Sequence, residues 1–187
     1  MKNKVIENRG SALVLIIIVT AVITTLGLTC LSISMGQFRI RKSNSEHKRA
    51  LYKSEGGLDY AYEEIYDLIC SAVEDSISKS DEYLLAEPGD IYGASDVFKN
   101  NFKQVVDCRI VHEVENCFNA QISVLNGSRL MFVNDELIAR VSSKYISESG
   151  IIKITSADII VYVPDYLDII SNTADISDLL HITNFDM

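Results

Sequence analysis

One long uncharged stretch dominates the first quarter of the chain. No charged residue occurs between positions 11 and 35, and most side chains there are Leu, Ile, Val, Ala or Thr. As a helix rising about 1.5 Å per residue, the stretch reaches roughly 37 Å, enough to cross a hydrocarbon core of about 30 Å. Helices buried in soluble domains rarely stay uncharged over such a length. The pattern therefore predicts a transmembrane helix.

Three kinds of apolar N-terminal segment compete for this stretch. A cleaved secretory signal has a shorter apolar core followed by a small-x-small site, and residues 32–34 fit that site poorly. A lipoprotein signal places small residues before a cysteine, whereas Leu28 and Thr29 precede Cys30. A retained single-pass anchor, with the lipid bilayer as its partner, fits the length best.

Basic residues on the two sides of the stretch do not decide its orientation. Three precede it and three follow it: Lys2, Lys4 and Arg9, then Arg39, Arg41 and Lys42. The last three either meet lipid headgroups or are ordinary flanking charge. Because large downstream domains translocate largely regardless of nearby charge, we place the N-terminus in the cytoplasm and the C-terminal domain outside the cell membrane.

A helical pattern continues beyond the apolar stretch. Residues 37–80 contain no proline, and their apolar side chains recur in steps of three, four and seven, as at Leu51, Leu58, Ile65 and Ile69. Such steps place one apolar stripe on a helix whose opposite face is acidic. Three glycines mark expected bends or places of close packing in this helix. They are Gly36, Gly56 and Gly57.

The second half of the chain changes to a strand pattern. Residues 78–101 are expected to form a loop, and five segments rich in Val, Ile, Phe and Tyr are expected to form a meander of four or five antiparallel strands. These segments are residues 104–114, 117–125, 129–133, 136–146 and 151–163. The tail after Pro164 is expected to hold a short helix and a loose end.

The predicted fold is therefore α+β, with a long N-terminal α-helix packed on a C-terminal antiparallel β-sheet. A half-buried sheet needs a cover, and the amphipathic part of the helix is the natural one. The expected segments are a leader over residues 1–10, a transmembrane half over 11–36, an amphipathic half over 37–80 and a globular β domain with an acidic tail over 81–187.

Charge is unevenly distributed over the 187 residues. The chain carries a net charge of −9, and all of it falls in residues 77–187, with eight basic and seventeen acidic side chains. An acidic domain does not suit a phosphate backbone, so no nucleic-acid partner is predicted for it.

No catalytic site, metal site or cofactor is predicted. The histidines His47, His112 and His181 are isolated in sequence. Asp165, Asp168, Asp175 and Asp178 lack the ordered spacing of an EF-hand, so solvated acids are favoured over a calcium site. Asn126-Gly127-Ser128 matches a glycosylation acceptor, but a turn explains it equally well.

The cysteines offer one candidate disulfide. Cys108 and Cys117 are nine residues apart and flank a strand–turn pattern, and they could pair if that part faces an oxidising space. Two free thiols are the alternative. Cys30 lies within the apolar stretch, where cysteine commonly acts as a small packing residue.

Two sequence segments carry a resemblance to a known family. Residues 9–13 read RGSAL at the junction between the leader and the apolar stretch, and residues 50–61 read ALYKSEGGLDYA on the predicted helix. Together with the helix length, they resemble type IV pilins and pseudopilins, in particular minor pilins with a PilX-type N-terminal region. The resemblance covers residues 1 to about 75, with Glu55, Gly56 and Gly57 as the motif on the helix, and beyond that it is architectural.

The resemblance implies processing at the leader. Gly10 corresponds to the residue before the cut made by prepilin peptidase, and Ser11 to the new N-methylated terminus. At the fifth position after the cut, most family members have a glutamate thought to pair with a neighbouring subunit's N-terminal amine, whereas this chain has Leu15. The departure favours a rare station, such as a filament tip or an initiation complex, over the filament body.

The resemblance also implies a role without catalysis. The expected partners are other pilin subunits, prepilin peptidase and the pilus assembly machinery, with the subunit membrane-anchored before assembly and part of an extracellular pilus afterwards. Two alternatives stay open: a pseudopilin of type II secretion, and an unprocessed single-pass membrane protein with an exported binding domain.

Overall fold

A computed structural model describes residues 4–116, 120–124, 132–171, 173 and 175–186. The chain divides into two units, Met1–Glu46 and His47–Met187. The elements in chain order are α1 (Lys4–Ala86), α2 (Ile91–Asn116), β1 (Ala120–Val124), β2 (Glu136–Ile146), β3 (Ile152–Tyr162), α3 (Tyr166–Ile170), a 3₁₀ turn (Ile176–Leu179) and β4 (Leu180–Asp186). The α+β class predicted from the sequence is confirmed.

The first unit consists of the N-terminal part of α1. Every side chain from residue 12 to residue 45 is exposed, including Leu15 at 65% and Ile23 at 62%. By length and composition, the described chain has one helix able to cross a membrane, and it lies near the N-terminus. A core helix of a soluble protein would be mostly buried, whereas the apolar window of α1 has no part buried.

The second unit has its core between the later part of α1, α2 and the sheet. The apolar stripe of α1 is buried as predicted, with Leu58, Ile65 and Ile69 in one cluster with the sheet residues Val141 and Ile159. Fully buried side chains of this kind each contribute about 1.5–3 kcal/mol relative to exposure. The amphipathic part of the helix therefore covers one face of the sheet.

The sheet is antiparallel throughout, with the strand order β1-β2-β3-β4. Alternate residues of the central strands are buried, such as Leu137 and Ala139 on β2, and Ala157 and Val161 on β3. The predicted ranges of β2 and β3 are confirmed to within one residue. The turn between them ends at Gly150, whose φ of +82° suits glycine.

The predictions for residues 78–101 and 104–114 are wrong, because both segments are largely helical. Helix α1 continues to Ala86, and α2 occupies residues 91–116. The reason is a second apolar stripe that repeats every fourth residue and is buried against the core. It consists of Ala94, Phe98, Phe102, Val106, Ile110 and Val114. Val106, Ile110 and Val114, which suggested a strand, thus share one helix face.

The tail is more ordered than predicted. The short helix is present as α3, but the expected loose end contains β4, which pairs with β3. Leu180 is buried at the start of this strand, and the later residues are exposed. Of the predicted strand 129–133, the structure describes only the last two residues, and Val133 forms an isolated bridge with Glu136.

Candidate functional site

The candidate processing site lies on α1. Gly10 and Ser11 fall within the helix, and Leu15 lies one turn further on with 65% of its surface exposed. Leu15 is therefore available to lipid or to another chain.

The motif Glu55-Gly56-Gly57 lies on α1 where the helix meets the globular core. Helix α1 passes through all three residues without interruption, so the glycines do not end the helix. A Cβ atom added at Gly56 or at Gly36 would meet nothing within 4 Å, so neither glycine is needed for close packing within the described part of the chain. Ser54 and Leu58 on either side are buried, whereas Gly56 faces open space.

A hydrogen bond between two buried hydroxyls joins α1 to the sheet at this motif. Ser54 Oγ lies 2.6 Å from Thr155 Oγ1 on β3, and both residues are fully buried. Ser54 also donates to the carbonyl of Leu51 at 2.8 Å. Because a serine hydroxyl has one hydrogen, Thr155 must be the donor to Ser54. The motif is therefore held in a fixed register against β3.

A polar cluster occupies the sheet face opposite the helices. Asp158 is buried, and it accepts hydrogen bonds from Arg140 on β2 at 2.7 and 3.1 Å and from Asn184 on β4 at 2.9 Å. These donors, Arg140 foremost, lower the pKa of Asp158. Asn184 adopts a positive φ of 50° within the irregular register between β3 and β4. The cluster ties the C-terminal strand to the sheet.

The connection between α1 and α2 is also polar. Tyr83 donates to Asp90 Oδ2 at 2.8 Å, and the backbone N–H of Gly93 donates to Asp90 Oδ1 at 3.0 Å. The Gly93 bond is the main cause of the lowered pKa of Asp90. A Cβ atom at Gly93 would meet both Tyr83 and Asp90, so this glycine allows a close approach.

The cysteine prediction falls partly outside the described residues. Cys108 is exposed on α2, and Cys117 lies outside the described residues, so their pairing stays a prediction. Cys108 lies on a helix rather than beside a strand, which corrects the local structure from which the pair was inferred. The glycosylation-like triplet at residues 126–128 lies outside the described residues as well.

Two of the tail acids have structural roles. The side chains of Asp165 and Asp175 accept hydrogen bonds from the backbone N–H groups of Leu167 and Ser177, and so cap α3 and the 3₁₀ turn. Asp165 also lies 3.5 Å from Lys99. In the part of the chain that the structure describes, no three His, Cys, Asp or Glu side chains are grouped to hold a metal ion.

The three histidines are dispersed on the surface. His47 is exposed on α1, His112 lies 3.1 Å from the side chain of Asn116, and His181 packs edge-on against the Tyr162 ring at 5.6 Å between centroids. The structure brings none of them together with another. The distinctive features of the described chain are instead the exposed apolar length of α1, the motif at Gly56 and the polar cluster around Asp158.

Sequence reasoning missed the polar cluster, although one signal was present. Arg140 and Asp158 interrupt the apolar residues of two predicted strands, and a hairpin centred on Ser149 places them directly opposite each other. The contribution of Asn184 had no such signal, because it depends on β4. No protein-family model, curated protein or solved structure matches this chain.

Proposed function

We propose that this protein is a minor pilin-like structural subunit, anchored in the membrane before it is built into a type IV pilus or a related filament. The observation that supports it most is the continuity of α1. One helix contains an apolar length with no buried part and, further on, a stripe that packs on an antiparallel sheet. A chain of this kind can exchange lipid for neighbouring helices while its globular part stays folded.

The two halves of α1 have different energetic roles in this proposal. The exposed apolar half sits in lipid before assembly and against other subunits afterwards, so its apolar surface is covered in both states. Packing and shape therefore decide the exchange, rather than the hydrophobic effect. The open side of α1 at Gly56 is available for a close helix–helix approach by another subunit.

Leu15 favours a rare position in the filament. A subunit's N-terminal ammonium in a helical core is costly without a partner, and Leu15 cannot supply the carboxylate. In the proposed role this subunit occupies a tip or an initiation complex, where no further subunit needs that carboxylate. The globular part then faces outward as the surface for partner contacts.

Processing of the leader is the direct test. Prepilin peptidase cleaves after Gly10 in the proposed role, and Ser11 becomes a methylated N-terminus. Intact-mass and N-terminal peptide analysis of the membrane-extracted protein distinguishes this from a permanent single-pass anchor. Loss of residues 1–10 with methylation supports the proposal, and an intact leader in a cell with active prepilin peptidase contradicts it.

A further inference from the structure

Basic side chains are concentrated on the part of α1 that follows the apolar stretch. Residues 39–53 contain six basic residues and one acidic residue, whereas residues 54–187 contain eight basic and twenty-four acidic residues. Three of the six, all in the first unit, form what we call the basic collar. They are Arg39, Arg41 and Lys42. Of the other three, Lys53 lies over the Tyr145 ring, 5.0 Å from its centroid.

The basic collar takes no part in holding the fold together. All three side chains are exposed, and none makes an ion pair or hydrogen bond with another described residue. Basic residues elsewhere are used differently, since four of them lie in ion pairs. These pairs are Lys99–Asp165, Lys103–Asp135, Arg109–Glu113 and Arg140–Asp158. Three cations within four residues, none of them used by the described fold, leave this segment available to a partner outside the chain.

The helix fixes the distance of the collar from the apolar stretch. At about 1.5 Å per residue, Arg39 lies roughly 6 Å and Lys42 roughly 10 Å beyond residue 35. This distance matches the headgroup layer and the first Debye length, about 8 Å at physiological salt, outside a bilayer. The exposed apolar side chains of Phe38 and Ile40, at 67% and 63%, alternate with the first cations, as suits a membrane interface.

We propose that the basic collar binds the headgroups of anionic phospholipids at the surface where α1 leaves the bilayer. The inference rests on the membrane anchoring in the proposed function. A nucleic acid is disfavoured as partner, because residues 54–187 carry sixteen more acidic than basic side chains and would repel a second polyanion. Lipid phosphates, by contrast, lie at the distance from the apolar stretch at which α1 places the collar.

The contact has a consequence for assembly. A subunit that leaves the bilayer for a filament must give up its collar–headgroup contacts, so anionic lipid retains the subunit in the membrane. Salt weakens contacts of this kind.

The test uses the full chain in nanodiscs of mixed phosphatidylcholine and phosphatidylglycerol. Spin-labelled analogues of the two lipids are added in turn, and the motionally restricted fraction of each is measured by electron paramagnetic resonance. We expect about a threefold preference of the protein for phosphatidylglycerol, falling towards one in 0.5 M salt. The triple variant Arg39→Gln, Arg41→Gln and Lys42→Gln should lose the preference.

Matched variants separate the effect of the collar on lipid preference from the effect of net charge. The variant Lys79→Gln, Lys144→Gln and Lys153→Gln removes the same charge elsewhere and should keep the preference, as should Arg39→Lys with Arg41→Lys. The salt titration needs no variant and covers the case in which the triple variant misfolds. Failure of the chain to enter nanodiscs contradicts the anchoring. If the chain enters nanodiscs but restricts both lipids equally, the collar inference alone is overturned. Chemical cross-linking of the collar to a second copy of the chain, in place of lipid contact, would overturn it as well.

Discussion

Arg140 and Asp158 lie directly opposite each other on neighbouring strands, and the guanidinium donates two hydrogen bonds of 2.7 and 3.1 Å to the buried carboxylate. Asp158 also accepts from Asn184, so a single carboxylate joins β2, β3 and β4. The arrangement is strong because both partners are charged and the acceptor is shielded from water.

Replacing this carboxylate should loosen the C-terminal strand. Asp158→Asn is expected to destabilise the second unit by about 1–3 kcal/mol, because it weakens a charge-assisted pair whose arginine stays in place. Hydrogen exchange should show the largest loss of protection in β4. Asp59→Asn, at an exposed position on α1, is the matched control and should change little.

The same carboxylate should make stability depend on pH. Its pKa is lowered in the folded state, so its contribution is present above the ordinary value of about 3.9 and is lost as the pH falls through the folded pKa. Acid denaturation in detergent measures this dependence of stability on pH. It is followed by the near-ultraviolet signal of the tyrosines, because all nine tyrosines lie in residues 47–187 and report on the second unit. Equal acid sensitivity of the native chain and Asp158→Asn would count against this role.

The Ser54–Thr155 hydrogen bond should control how α1 seats on the sheet. Ser54→Ala leaves a buried hydroxyl without its acceptor and should cost about 1–3 kcal/mol. Adding Thr155→Val should recover much of that loss, because replacing both partners leaves no unpaired group. Ser45→Ala, exposed on the same helix, is the control. Additive effects of the two core substitutions would show that the hydroxyls are not coupled.

Two glycines in helices should respond in opposite ways to alanine. Gly56→Ala should stabilise the isolated chain by about 1 kcal/mol, because the new methyl group meets open space and alanine favours helix. Gly93→Ala should show no such gain, because its methyl group displaces Tyr83 or Asp90. Denaturation of both variants measures the difference. Similar gains would contradict the close approach at Gly93.

The elements of the second unit differ in how well the sequence predicts them. The stripe Leu58–Ile65–Ile69 and the alternation in β2 and β3 were readable, because each follows one period over many residues. Helix α2 was not predicted, since Val106, Ile110 and Val114, spaced every four residues, also satisfy strand preference. Strand β4 was missed because only Leu180 is buried in it, so it has no alternation to detect.

The candidate site was predictable to a different extent. The position of Ser11 and Leu15 on α1 follows from the apolar pattern, whereas Gly10, which the sequence places in a leader before the helix, lies within it. Their role in processing stays a prediction. The cluster at Asp158 depends on the pairing of three strands, which no local pattern specifies.

A carboxylate introduced at position 15 should change the proposed position of the subunit in the filament. Leu15→Glu is expected to raise the number of copies per filament several-fold, because the subunit could then pair with a neighbour's ammonium. Leu15→Gln, polar but uncharged, is the control. Copy number is measured by quantitative mass spectrometry of sheared filaments relative to the major subunit. An equal rise with Gln, or none with Glu, would argue against the charge pairing.

In the proposed function, α1 is a processed pilin-type helix rather than a permanent anchor. The most direct measurement is the N-terminal mass of the protein extracted from cells with active prepilin peptidase, compared with Gly10→Leu and with the control Gly27→Ala. We predict that the native chain and the control start at a methylated Ser11 and that Gly10→Leu retains residues 1–10. An intact leader on the native chain would contradict the account.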